Sequence, residues 1–119
     1  MEIERETEIV MDKPVDLKNL NSLDNIDHVA IQVTNIKEAA AWYQTNFTSK
    51  LLYQDETWAF LQFANFKLAL VLPGQHPPHL AFTKPNASDY GKLVQHRDAT
   101  QSVYISDPAG NQVEIMQSG

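Results

Sequence analysis

Three residues of this chain have side chains suited to holding a metal ion, and each sits in a short alternating run. His28 opens HVAIQV, His79 opens HLAFTK, and Glu114 is the third residue of QVEIMQ. On an extended strand successive side chains alternate between faces. Val29, Ile31 and Val33 therefore share one face, with His28, Ala30 and Gln32 on the other. His79 lies opposite Leu80 and Phe82, and Glu114 opposite Val113 and Ile115, by the same alternation. Two neutral imidazoles and one carboxylate suit divalent iron, manganese or zinc and leave coordination positions open for substrate or water. Taken singly, each residue has an ordinary explanation, since a lone strand histidine is usually hydrogen-bonded structure and a lone glutamate is usually solvated. The matching parity of all three, two of them on a phrase written twice, is what points to chemistry.

The surrounding elements must position these groups. Residues 28–33 read as a half-buried strand. Asn35 stands three residues before Glu38, the spacing of a helix capping box, and Ile36, Ala40, Tyr43 and Phe47 recur at helical spacing. The pattern predicts an amphipathic helix over 36–47. Strands are expected at 51–54, 58–63 and 66–72, the last two joined by a tight hairpin at Ala64-Asn65. PGQHPP at 73–78 interrupts the chain, and 79–84 restarts the scheme. A weaker helix is expected over 86–95, weakened by Gly91, which costs about 1 kcal/mol against Ala in a helix. Strands at 102–106 and 112–117 follow, turned by DPAGN at 107–111, where Pro108 and Gly110 suit a tight turn. No convincing strand stands between the second helix and Ser102. The chain thus reads as two copies of a β-α-strands unit, the second shorter. A pseudo-twofold between the copies would bring His28 and His79 together.

HVAIQV, the helix ending WYQTNF, HLAF and SVYISDPAGNQVEI together resemble the vicinal oxygen chelate superfamily over about residues 26–117. That superfamily includes glyoxalase I, extradiol dioxygenases and the fosfomycin- and bleomycin-resistance proteins. The resemblance implies an α+β fold of two paired βαβββ modules forming a curled mixed sheet, a cup, with the second module shortened. It implies metal ligands at His28, His79 and Glu114, and a divalent ion (iron, manganese, zinc or nickel). It also implies a small vicinal-oxygen substrate and a homodimer. The fourth ligand of glyoxalase I, a glutamate, would fall at Leu68 to Leu70, most nearly Ala69, where this chain has no carboxylate. That departure counts against glyoxalase activity itself. The expected function is a small metalloenzyme, with the metal as Lewis acid or dioxygen activator. The alternative is a metal-free, bleomycin-resistance-like sequestering protein.

Candidate catalytic groups are Glu114 and Tyr104, the latter placed to donate a hydrogen bond to substrate or simply to line the cup. Gln32 and Gln62 are candidate second-layer or substrate contacts. Trp58 and Phe60 are expected chiefly as core, with lining an apolar pocket as the alternative, and His76 and His96 chiefly as solvent-facing, with reaching the metal as the lesser alternative. Residues 1–24 read as an acidic extension outside the domain of residues 25–119, with Ile9, Val10 and Met11 able to add a strand or helical turn. Composition narrows the remaining classes. The 119 residues carry 9 Lys and Arg against 15 Asp and Glu, a net charge of −6, which argues against nucleic acid and anionic membranes. There is no cysteine, so disulfides, thiolate chemistry and Cys-based zinc sites are excluded. MEIERETEIV lacks a basic start and apolar run, and the expected location is cytoplasmic. No phosphate-binding glycine loop or serine elbow is present.

Overall fold

The structure is a computed structural model and describes residues 23–118. The expected N-terminal extension, including the strand or turn at Ile9 to Met11, lies almost wholly outside the described residues. The elements are β1 (Asn25–Gln32), α1 (Ile36–Asn46), β2 (Lys50–Gln54), β3 (Trp58–Gln62), β4 (Lys67–Val71), β5 (His79–Lys84), a 3-10 turn (Ala87–Tyr90), β6 (Val94–Gln95), β7 (Gln101–Ser106) and β8 (Gln112–Gln117). They form one mixed eight-stranded sheet in the order β2-β3-β4-β1-β5-β8-β7-β6, curled but not closed. Each module supplies one half. β1 runs parallel to β4 and β5 parallel to β8, while β1 and β5 meet antiparallel at the centre.

The helix of the first module forms for the reasons its sequence gives. The Asn35 side chain accepts the backbone N–H of Glu38 at 2.9 Å, satisfying an otherwise orphaned donor. Ile36 and Ala40 are buried against Ala59, Leu61, Leu68 and Leu70, with Val29 and Ile31 packed alongside. The odd-numbered face of β1 is therefore the helix face, and His28, Ala30 and Gln32 are left on the concave side. The second module has a smaller core of Ala87, Val103 and Ile115, with Leu93, Ile105 and Val113 against it. This places His79, Tyr104 and Glu114 on the same concave side.

The second helix is a correction. Residues 86–95 form only the four-residue 3-10 turn and then a two-residue strand, β6, paired with β7. Gly91 is the reason the helix cannot run on. Its φ of 153° is a conformation glycine tolerates and other residues resist, and a Cβ there would lie 2.8 Å from Val103 Cγ2. The DPAGN turn forms as expected, with Asp107 Oδ1 accepting the N–H groups of Ala109 and Asn111, each at 2.8 Å, and Gly110 at φ 90°. The hairpin at Ala64-Asn65 is closed by Phe63 N–H donating to Phe66 O at 2.9 Å. Among the described residues no helix is long and apolar enough to cross a membrane.

Gly91→Ala should destabilise the protein by about 1–3 kcal/mol, because strain at a glycine-only φ adds to overpacking against a buried valine. Chemical denaturation checks this, and a loss below a few tenths of a kcal/mol would contradict the packing described here.

Candidate metal centre

The register explains why the repeated phrase is His, aliphatic, Ala. Across the β1–β5 pairing His28 faces Ala81, and Ala30 faces His79. Residues directly opposite in an antiparallel pair have Cβ atoms only about 4.5–5.5 Å apart. A small side chain opposite each imidazole leaves both rings room to turn toward one point. Ala30 is 1% exposed and Ala81 0% exposed, so neither position could hold a larger group without displacing a ring. Glu114 enters from β8, also directly beside Ala81.

The three side chains converge. His28 Nε2 and His79 Nε2 are 3.4 Å apart, and they lie 3.4 Å and 3.2 Å from Glu114 Oε1. All three residues are nearly buried, at 9%, 8% and 5% exposure. Their donor atoms lie within 4.8 Å of one another, a group able to hold a metal ion. The far side of each ring is also engaged. His28 Nδ1 donates to Asp27 Oδ2 at 2.9 Å, and His79 Nδ1 donates to the Pro77 carbonyl at 2.9 Å. With both Nδ1 atoms donating, each ring aims its Nε2 at the shared point and, on loss of any Nε2 proton, presents a lone pair there, the arrangement found behind metal-ligating histidines. Asp27 reaches this place because it is the extra residue of a β-bulge between Ile26 and His28, and bulges re-aim side chains. Lys67, opposite His28 on β4, holds Asp27 Oδ1 at 3.0 Å.

Aromatic rings flank the group in pairs. Phe60 meets His28 edge-on at 5.5 Å and Tyr104 meets His79 edge-on at 5.4 Å. Trp58 and Tyr53 continue the first wall, with ring centroids at 5.3 Å and 4.9 Å in succession. Trp58 and Phe60 thus line the concave face rather than the core beneath α1, a correction to the sequence reading. Ala69 pairs with Ala30 just as Glu114 pairs with Ala81, so it occupies the mirror position of Glu114 and offers no ligand.

Charges at the site are coupled. Burial alone would raise Glu114, but hydrogen bonds with His28, His79 and Ser102 outweigh it and hold the carboxyl below the usual range. Burial would lower His28, yet its bonds to Asp27 and Glu114 prevail and push it up to about 9. Burial, and then the nearby Glu114 charge, raises Tyr104, so its phenol stays protonated at neutral pH.

Other expected roles change. Gln32 donates to the His76 carbonyl at 2.9 Å and anchors the proline-rich loop, while Gln62 donates to Phe63 O at 2.6 Å and braces its hairpin. His76 takes no part among the three converging groups. His96, expected in solvent, instead turns inward, with Nε2 2.7 Å from Ser102 Oγ and 3.6 Å from Glu114 Oε2. Sequence offered little signal for it, because His96 lies outside any alternating strand.

No family model matches the sequence, and neither does any curated protein. Solved structures do. A hypothetical protein from Bacillus halodurans C-125 superposes with a TM-score of 0.66 at 18% identity, covering 81% of this chain and 95% of its own. A glyoxalase/bleomycin resistance protein/dioxygenase superfamily member from Vibrio splendidus 12B01 gives 0.59 at 11% identity, covering 81% and 100%. Methylmalonyl-CoA epimerase from Mycobacterium tuberculosis gives 0.55 at 16% identity, covering 80% and 88%. The chain has the vicinal oxygen chelate fold.

A pH dependence follows from His28. Its folded pKa is raised above the ordinary 6.5, so its stabilising contribution is fully present below pH 6.5 and is lost as pH rises through about 9. In chelator-treated protein, urea unfolding between pH 6.5 and 9.5 should show stability falling by about 1–3 kcal/mol. Replacing Asp27 with Asn should flatten that fall, whereas an unchanged slope would exclude Asp27 as its source.

Proposed function

We propose, taking the vicinal oxygen chelate fold as premise, that this chain is a divalent-metal-dependent enzyme acting on a small substrate with adjacent oxygens. The observation that carries the reading is the convergence of two Nε2 atoms and one Oε1 atom with both histidine Nδ1 atoms already committed behind them. His28, His79 and Glu114 are the proposed ligands. Two neutral nitrogens and one carboxylate oxygen suit iron, manganese, zinc or nickel better than magnesium or calcium, which prefer all-oxygen sites. When bound, such an ion supplies Lewis acidity toward a developing enolate or oxyanion, or activates dioxygen if it is iron.

The chain's own residues do the rest. Asp27 and the Pro77 carbonyl fix the imidazole tautomers. Tyr104, 39% exposed at the mouth and kept protonated, donates a hydrogen bond to a substrate oxygen. The wall of Tyr53, Trp58 and Phe60 packs a flat or apolar substrate portion and excludes water beside the charges. Ala69, where a fourth carboxylate would stand, supports a lyase, isomerase or dioxygenase type with three protein ligands over glyoxalase I itself. We also propose a homodimer, supported by edge strand β2, which leaves Leu51 39% and Leu52 42% exposed.

Purified protein should contain, or take up after chelation, about one equivalent of metal per chain, with thermal stability rising about 2.7 kcal/mol in a hundredfold excess over Kd. His28→Ala, His79→Ala and Glu114→Ala should each lower occupancy at least about tenfold. Wild-type occupancy under about a tenth of an equivalent, with no stabilisation by Mn²⁺ or Zn²⁺, would overturn this reading and favour the metal-free binding protein.

A further inference from the structure

Ser102 is the most deeply buried polar side chain near the three converging groups, at 0% exposure. A buried hydroxyl needs partners. It sits on β7, diagonal to Glu114 across the pairing in which Tyr104 faces Glu114 and Ser102 faces Met116. Its Oγ is 2.7 Å from His96 Nε2, and the same nitrogen is 3.6 Å from Glu114 Oε2. An ionised carboxylate can only accept hydrogen bonds, and a serine hydroxyl has one proton to give. Ser102 is thus placed to accept from His96 Nε2–H and to turn its one proton toward Glu114, consistent with the lowered Glu114 carboxyl.

We infer that His96 and Ser102 form a positioning relay that keeps one Glu114 oxygen on the two imidazoles and the other turned toward His96. The inference rests on the metal reading above. The torsion that rotates a glutamate carboxylate is broad and weakly held, so without an outer partner both oxygens are free to swing toward an ion. Tying Oε2 back makes Glu114 a one-oxygen ligand and leaves the remaining coordination positions for substrate. His96 is not itself a ligand, since its nitrogen falls outside the set of donor atoms within 4.8 Å of one another. Its position is fixed by the β6–β7 connection, where His96 N–H donates to Thr100 O at 2.8 Å and Ala99 N–H donates to His96 O at 3.0 Å. The relay is peculiar to the second module. In the first module the position mirroring Ser102 is Trp58, which faces Val71 as Ser102 faces Met116.

Cobalt titration of chelator-treated protein tests this, read by both Kd and the visible absorption spectrum of bound Co²⁺. Ser102→Ala and His96→Ala should each weaken Co²⁺ binding about tenfold or more and change the spectrum. The double variant should bind no worse than Ser102→Ala, because the two residues act as links in one chain. His96→Gln, which keeps an N–H donor, should recover most of the affinity. Wild-type affinity and spectrum in the single variants, or losses that multiply in the double, would overturn the relay. If Ser102→Ala fails to fold, the partly exposed His96 position carries the test through His96→Ala and its Gln rescue. A wild-type protein that takes up no Co²⁺ overturns the metal reading and the relay with it. A wild type that binds, beside variants that bind alike, overturns the relay alone.

Discussion

The antiparallel register between β1 and β5 is the constraint on which the rest depends. It sets His28 against Ala81 and His79 against Ala30, and so brings two distant histidines into contact. A slip of one residue would turn each histidine to the helix face and each Val, Ile or Leu to the concave face. The partial burial of Val29 and Ile31 beneath α1 resists such a slip, because exposing them further would cost about 25 cal/mol for every Å² of apolar surface. The same packing that holds the sheet together therefore also aims the imidazoles. Both parallel pairings extend the alignment outward, placing Glu114 beside Ala81 and Ala69 beside Ala30.

What the sequence could reveal follows from that geometry. Alternation along a strand is a local property, so the faces of His28, His79 and Glu114 were legible from HVAIQV, HLAFTK and QVEIMQ. The duplication supplied the one long-range relation needed, and with the glyoxalase I resemblance it pointed to Ala69 as the counterpart of Glu114. The capped helix was equally plain, since cap, periodicity and alanine content agree. The rest depended on relations that no local pattern carries. Asp27 reaches His28 only through a bulge, and His96 reaches Glu114 only because a loop after β6 folds back over β7. Trp58 and Phe60 read chiefly as core from sequence because an aromatic on a strand fits a core or a binding wall, and only the sheet's curl distinguishes them. The second helix failed on Gly91, whose close approach to Val103 is a tertiary fact.

The two modules share a plan and differ in chemistry. Phe60 and Tyr104 are mirror partners, each facing the Glu114-equivalent position of its own module and each edge-on to a histidine. Beyond them the walls diverge. One continues through Trp58 and Tyr53 and is apolar, whereas the other continues through Ser102 and His96 and is hydrogen-bonding. On the proposed reading, a substrate lying across the open face would meet an aromatic surface on one side and polar groups on the other. Such a site orients its ligand, because reversing the ligand would strand polar atoms against carbon and carbon against polar atoms.

Charge sharpens the same asymmetry. Asp27 is offset by Lys67 at 3.0 Å, so its bond to His28 orients the ring and adds little net charge to the site. Without an ion, Glu114 is offset by His28, whose pKa it helps to raise, and Ala69 leaves the mirror position neutral. A divalent ion on two neutral imidazoles and one carboxylate would retain one net positive charge, in a setting where burial strengthens electrostatics. A second carboxylate at position 69 would cancel that charge. On the proposed metal reading, alanine rather than an acid at position 69 would favour ligands that present anionic or incipiently anionic oxygen pairs. It does so without adding any basic side chain to a protein whose overall charge is −6.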